Sequence, residues 1–86
     1  MKKKFEYSFD VEGPDSIKFE YSKNHDEELE IVIQDGKVGM HLNKSGCIAL
    51  AKLLIKLGTC DFKKGFHFHF NADFDGDKKE VMWVGV

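Results

Sequence analysis

Apolar and polar residues alternate with a period of two along most of this chain, and a helical period replaces that alternation along one stretch only. Phe5, Tyr7, Phe9 and Val11 are separated by Glu6, Ser8 and Asp10, and Ile17, Phe19 and Tyr21 repeat the pattern. Such alternation predicts strands with one buried face. Glu12-Gly13-Pro14-Asp15 between them has turn chemistry, since proline fixes φ and glycine admits a positive value, so the two strands are expected to form a hairpin. Lys23 to Glu28 reads as a solvated loop. Leu29, Ile31 and Ile33 then lead into Asp35-Gly36, and Val38, Met40 and Leu42 lead out. Asp-Gly favours a type I′ turn, which predicts that Gln34 pairs with Lys37. Ile33 then faces Val38, Ile31 faces Met40 and Leu29 faces Leu42 on one side, with Glu30 opposite His41 on the other.

The helical stretch is Lys44 to Leu57, with Asn43 as its N-cap and Gly58 as the left-handed residue that closes it. At about 100° per residue, Cys47, Leu50, Ala51 and Leu54 form one stripe, widened by Ile48 and Ile55 on one flank and Leu53 and Leu57 on the other. Lys52 and Lys56 mark the expected solvent side. The apolar arc is wider than one sheet requires, so either strands wrap the helix or one flank meets another subunit. Beyond it, Phe66, Phe68 and Phe70 alternate with His67 and His69, and the Phe face is expected to pack on the helix. Asn71 to Lys79 is a loop dense in Asp and Gly, with Phe74 as its apolar anchor. The last segment is apolar in both phases, Val81 and Trp83 in one and Met82, Val84 and Val86 in the other. A strand of this kind is central or is covered on its second face. The chain is therefore expected to form a single α+β domain over residues 1–86: a mostly antiparallel sheet of about six strands with one helix packed on one face, in the order β-β-β-β-α-β-β.

Composition narrows the function classes. A formal net charge of -2 and a pI near 6.0 argue against nucleic-acid binding. The basic opening, MKKKFEYSFD, is not followed by the apolar run a signal peptide requires, and no segment is apolar for long enough to cross a bilayer. Cys47 and Cys60 have no metal-ligand spacing, and both are expected to be buried free thiols, which places the protein in the cytoplasm.

His67 and His69 project to one side of a strand, a spacing that supplies two imidazoles to one metal, and the hairpin register puts His41 on an outer face as well. The three histidines are the candidate metal ligands. The same alternation is also simply the polar half of an amphipathic strand. Asn71 to Asp77 spaces oxygens as a calcium loop does, but Met82 stands where the bidentate acid belongs, so an acidic turn is the better reading. No nucleophile or phosphate-loop motif is present. The expectation is that the protein is not an enzyme and carries no cofactor.

The run from Asn43 to Leu54, NKSGCIALAKLL, is followed by Phe66-His67-Phe68-His69-Phe70, by an acidic loop containing Gly76 and by a final apolar strand. This order resembles the immunity protein 32 family of bacterial polymorphic toxin systems, over roughly the last half of the chain. The resemblance implies a small cytoplasmic protein that binds and neutralises a cognate toxin without catalysis. Glu6, Asp10, Glu20 and Glu30 alternate with lysines and histidines on the expected outer sheet face and are the candidate partner-binding residues. A small metal-binding protein using His67 and His69 is the alternative. Self-association is expected either to bury Met82 and Val84 in a two-fold homodimer, or to be unnecessary because the amino-terminal hairpin covers them.

Overall fold

The computed structural model describes residues 1–10 and 26–85. Their order is β1 (Leu29–Gln34), β2 (Lys37–Leu42), α1 (Lys44–Thr59), β3 (His67–Asn71), a single 3-10 turn (Ala72–Phe74) and β4 (Glu80–Gly85). The strands form two separate two-stranded antiparallel sheets, β1-β2 and β3-β4. The class is α+β, but the expected single sheet of six strands is not formed.

The first hairpin follows from its turn. Asp35 and Gly36 both take positive φ, 53° and 74°, as a type I′ turn demands, and the five expected cross-strand pairs are present, with Val32↔Gly39 completing the register from Gln34↔Lys37 to Leu29↔Leu42. Asn43 ties both ends of this hairpin to the helix. Its Oδ1 accepts from the Gly46 amide at 2.7 Å as an N-cap and from the Glu28 amide at 2.9 Å, while its Nδ2 donates to the Asp26 carbonyl.

The helix is turned about its axis relative to the expected stripe. Gly46, Leu53 and Leu57 are its buried residues, whereas Leu54 and Ile48 are 45% and 42% exposed and Cys47 is an exposed free thiol. Gly46 explains the rotation, because its bare α-carbon lets the helix press against the Glu28 backbone, and the closest approach decides which way the helix faces. Gly58 does not close the helix, which continues to Thr59. The Thr59 hydroxyl donates to the Ile55 carbonyl and the Cys60 amide to the Lys56 carbonyl. Leu53 and Leu57 join Leu29, Phe70 and Phe74 in the core, each no more than 6% exposed. Phe74 is thus the anchor expected of it, and the Phe face of β3 packs as expected.

Two features keep the sheets apart. Met1 to Asp10 contains no strand, and its alternation serves the helix instead. Tyr7 and Phe9 stack at 5.5 Å, Lys52 Nζ lies 5.2 Å from the Tyr7 ring centre and Lys56 Nζ 5.7 Å from that of Phe9, so these lysines are capped by aromatic faces rather than left in open solvent. The other expected amino-terminal strand, Ile17 to Tyr21, lies outside the described residues. Between β1 and β4, Asp73 intervenes. Its Oδ1 accepts the Leu29 amide at 3.0 Å, taking the bond that a neighbouring strand carbonyl would have taken.

Asp73 and Phe74 are both left-handed, at φ 52° and 53°, an arrangement disfavoured for residues with a Cβ. The bonds of this loop offset it. Lys78 Nζ pairs with Asp73 Oδ2 at 2.6 Å, the Asn71 side-chain Nδ2 donates to the Lys78 carbonyl and the Ala72 backbone amide to that of Lys79. The Lys78 ammonium, with the Leu29 amide second, holds the Asp73 carboxyl below its ordinary range, and Asp73 in turn raises Lys78.

Among the described residues, no helix is long and apolar enough to cross a membrane.

Candidate functional site

The outer face of the second hairpin gathers the most chemistry. His69 pairs with Trp83 and His67 with Gly85 across β3 and β4. The register then shifts between Phe70 and Asn71, so that Phe70 opposes Met82 while Asn71 opposes Glu80. Val81 is the extra residue of this bulge. The shift accounts for a strand that looks apolar in both phases: Val81, Met82 and Val84 are partly buried against the core, whereas Trp83 is 64% exposed. Met82 and Val84 are therefore packed in part against the protein's own core, and both keep some exposed surface.

Trp83 lies over a notch. A Cβ built on Gly85 would come within 3.0 Å of Trp83 Cζ3, so the indole occupies the space that the missing side chain leaves. The His67 ring stands edge-on to it, 6.0 Å between centres at 70°, and His69 is 4.8 Å from His67 at 75°. Both imidazoles are oriented through Nδ1. His67 donates from Nδ1 to the Gly65 carbonyl at 3.2 Å, and His69 Nδ1 bonds the Glu80 carboxylate, whose place beside it is a consequence of the bulge. With Nδ1 so used, Nε2 is the remaining polar ring atom of each exposed histidine.

This arrangement fits recognition better than a metal centre. His41 sits on β2, in the other sheet, opposite Glu30. The structure thus brings His67 and His69 together but leaves His41 apart, and no group of three or more metal-ligating side chains is assembled among the described residues. Among the described residues, the candidate partner-binding acids do not share a strand face either. Glu30 is on β1, Glu6 pairs with Lys4 at 2.7 Å in the strandless amino-terminal segment, Asp10 is exposed at the end of that segment, and Glu20 lies outside the described residues. Their expected union depended on the single sheet.

Trp83 and Glu80 are the site residues that period-two reasoning passes over. A Trp-x-Gly step facing an alternating His strand is the signal that points to them, since a glycine two residues along a strand gives an exposed indole a place to lie.

Comparison with known proteins finds no matching family model, no matching curated protein and no matching solved structure.

Proposed function

We propose that this protein is a small cytoplasmic binding protein of the immunity type, which occupies a cognate bacterial toxin through the outer face of β3-β4 and performs no chemistry of its own. The observation that carries the reading is Trp83, an indole 64% exposed yet held over Gly85 and beside His67. Exposed aromatic side chains with restricted motion are the usual anchors of protein interfaces, because they bury a large area at little cost in conformational entropy. The oriented imidazoles of His67 and His69 and the Glu80 carboxylate supply polar groups of both kinds around that anchor. The resemblance of roughly the last half of the chain, from Asn43 through the final apolar strand, to the immunity protein 32 family supports the inhibitory role, and the free thiols of Cys47 and Cys60 suit a reducing compartment.

The test is co-expression with the product of the neighbouring gene. The expected result is that this product alone arrests growth, that the protein restores it, and that the two elute as a stoichiometric complex. A neighbouring product that is harmless, or whose toxicity is untouched, contradicts the proposal.

A further inference from the structure

We infer that the edge of β2 that faces away from β1, which no strand covers among the described residues, pairs with the same edge of a second copy, joining two hairpins into one four-stranded antiparallel sheet. The direction of each backbone group follows from the turn. With a two-residue type I′ loop, the pairs Gln34↔Lys37, Val32↔Gly39 and Glu30↔His41 exchange hydrogen bonds, so the amides and carbonyls of Val38, Met40 and Leu42 point away from β1. The partner strand verifies this phase. Leu29, opposite Leu42, sends its amide away from β2 to Asp73 at 3.0 Å.

The two sides of the hairpin are then unlike. The β1 side lies against the 3-10 turn and β4, whereas β2 touches α1 at its Leu42 end, pairs with no strand but β1 among the described residues, and is exposed from Lys37 to His41. Natural edges are usually blunted by proline, a bulge or several charges. This one has none of these beyond Lys37 at its turn end, and it exposes Val38 at 71% and Met40 at 40%. A lone two-stranded hairpin is marginal, and further strands stabilise it.

The occupant is a second copy because the edge is complementary to itself. A two-fold axis through Met40 sets Met40 opposite Met40 of the second copy and Val38 opposite Leu42, which matches every outward backbone group and keeps apolar side chains together. On the other face the same register puts His41 over the bare Gly39 and Lys37 opposite Asn43, so no like charges meet. A five-residue strand contact is small beside the roughly 800 Å² per partner of a stable dimer, so the association is reversible and grows with concentration.

Amide hydrogen exchange of the full chain, followed from about 10 µM to about 1 mM beside sedimentation equilibrium, tests this directly. The amides of Val38, Met40 and Leu42 are expected to gain about tenfold protection over that range, while those of Lys37, Gly39 and His41 stay as they are. Met40→Pro removes an outward amide without breaking a bond to β1, and is expected to abolish both the gain and the dimer. Val38→Lys, which keeps every amide and sets a charge opposite Leu42, provides the same test should the proline variant unfold. A monomer at every concentration overturns the inference. So do protection that is constant with concentration, which would assign the edge to a segment of the same chain, and a dimer that survives the edge variants, which would place the interface elsewhere.

Discussion

Gly46 and Glu28 are in backbone contact so close that a methyl group on Gly46 would lie 2.3 Å from the Glu28 carbonyl oxygen. In a helix, exchanging glycine for alanine ordinarily stabilises by about 1 kcal/mol. Here the sign reverses. Gly46→Ala forces the helix away from the start of β1, and overpacking of this kind costs about 1–3 kcal/mol. The urea midpoint of the variant should fall, and a midpoint that rises would mean that the helix does not rest on Glu28.

Asn43 holds the same junction from the side-chain end. Asn43→Ala removes the cap on the Gly46 amide and leaves the Glu28 amide without its acceptor. A lost cap costs about 1 kcal/mol and a second lost hydrogen bond a similar amount, so a total of about 1–3 kcal/mol is expected in the same titration.

The rotation of the helix makes Leu53 and Leu54 a sharp pair of neighbours. Leu53 is 1% exposed and Leu54 is 45% exposed. Leu53→Ala should cost about 2–5 kcal/mol, and Leu54→Ala less than about 1 kcal/mol. Equal losses, measured by denaturant unfolding, would restore the stripe through Cys47 and Leu54.

That pair also shows where sequence reasoning reached and where it stopped. The β1-β2 hairpin was legible to the residue, because the Asp35-Gly36 turn and the apolar phase demand the same register. The helix start was legible from Asn43. Its facing was not, because the residue that decides it, Gly46, contributes no apolar side chain to any periodicity. Alternation in Met1 to Asp10 was real but ambiguous: Tyr7 and Phe9 use it to cover Lys52 and Lys56 rather than to build a strand. The separation of the sheets depends on Asp73, a left-handed residue whose carboxylate caps a strand 44 positions away, and local patterns carry no sign of such a bond. At the site, the His67-x-His69 face was visible, whereas the Val81 bulge that turns Glu80 toward it was not.

Asp73 gives the fold a dependence on pH. Lys78 and the Leu29 amide stabilise its ionised form, so its folded value lies below the ordinary 3.8. The resulting stabilisation is fully present above the unfolded value and is lost as pH falls through the folded one. Lys78, raised above its ordinary 10.5, holds its share until pH climbs past that range. Unfolding measured at pH 7 and near pH 3 should therefore show a smaller acid loss for Asp73→Asn than for the parent. An identical acid loss in the two proteins would remove Asp73 from this role.

The central claim is that the β3-β4 face, with Trp83 as its anchor, is the surface that engages a protein partner. Its most direct test is calorimetric titration of the neighbouring gene's product, the proposed cognate toxin, with the parent and with Trp83→Ala. Because Trp83 is 64% exposed, the variant should keep the parent's unfolding midpoint closely. Its affinity should nevertheless fall by about 30-fold or more, the loss of about 2 kcal/mol expected when a central aromatic anchor is removed. Binding unchanged within about twofold would contradict the assignment of this face.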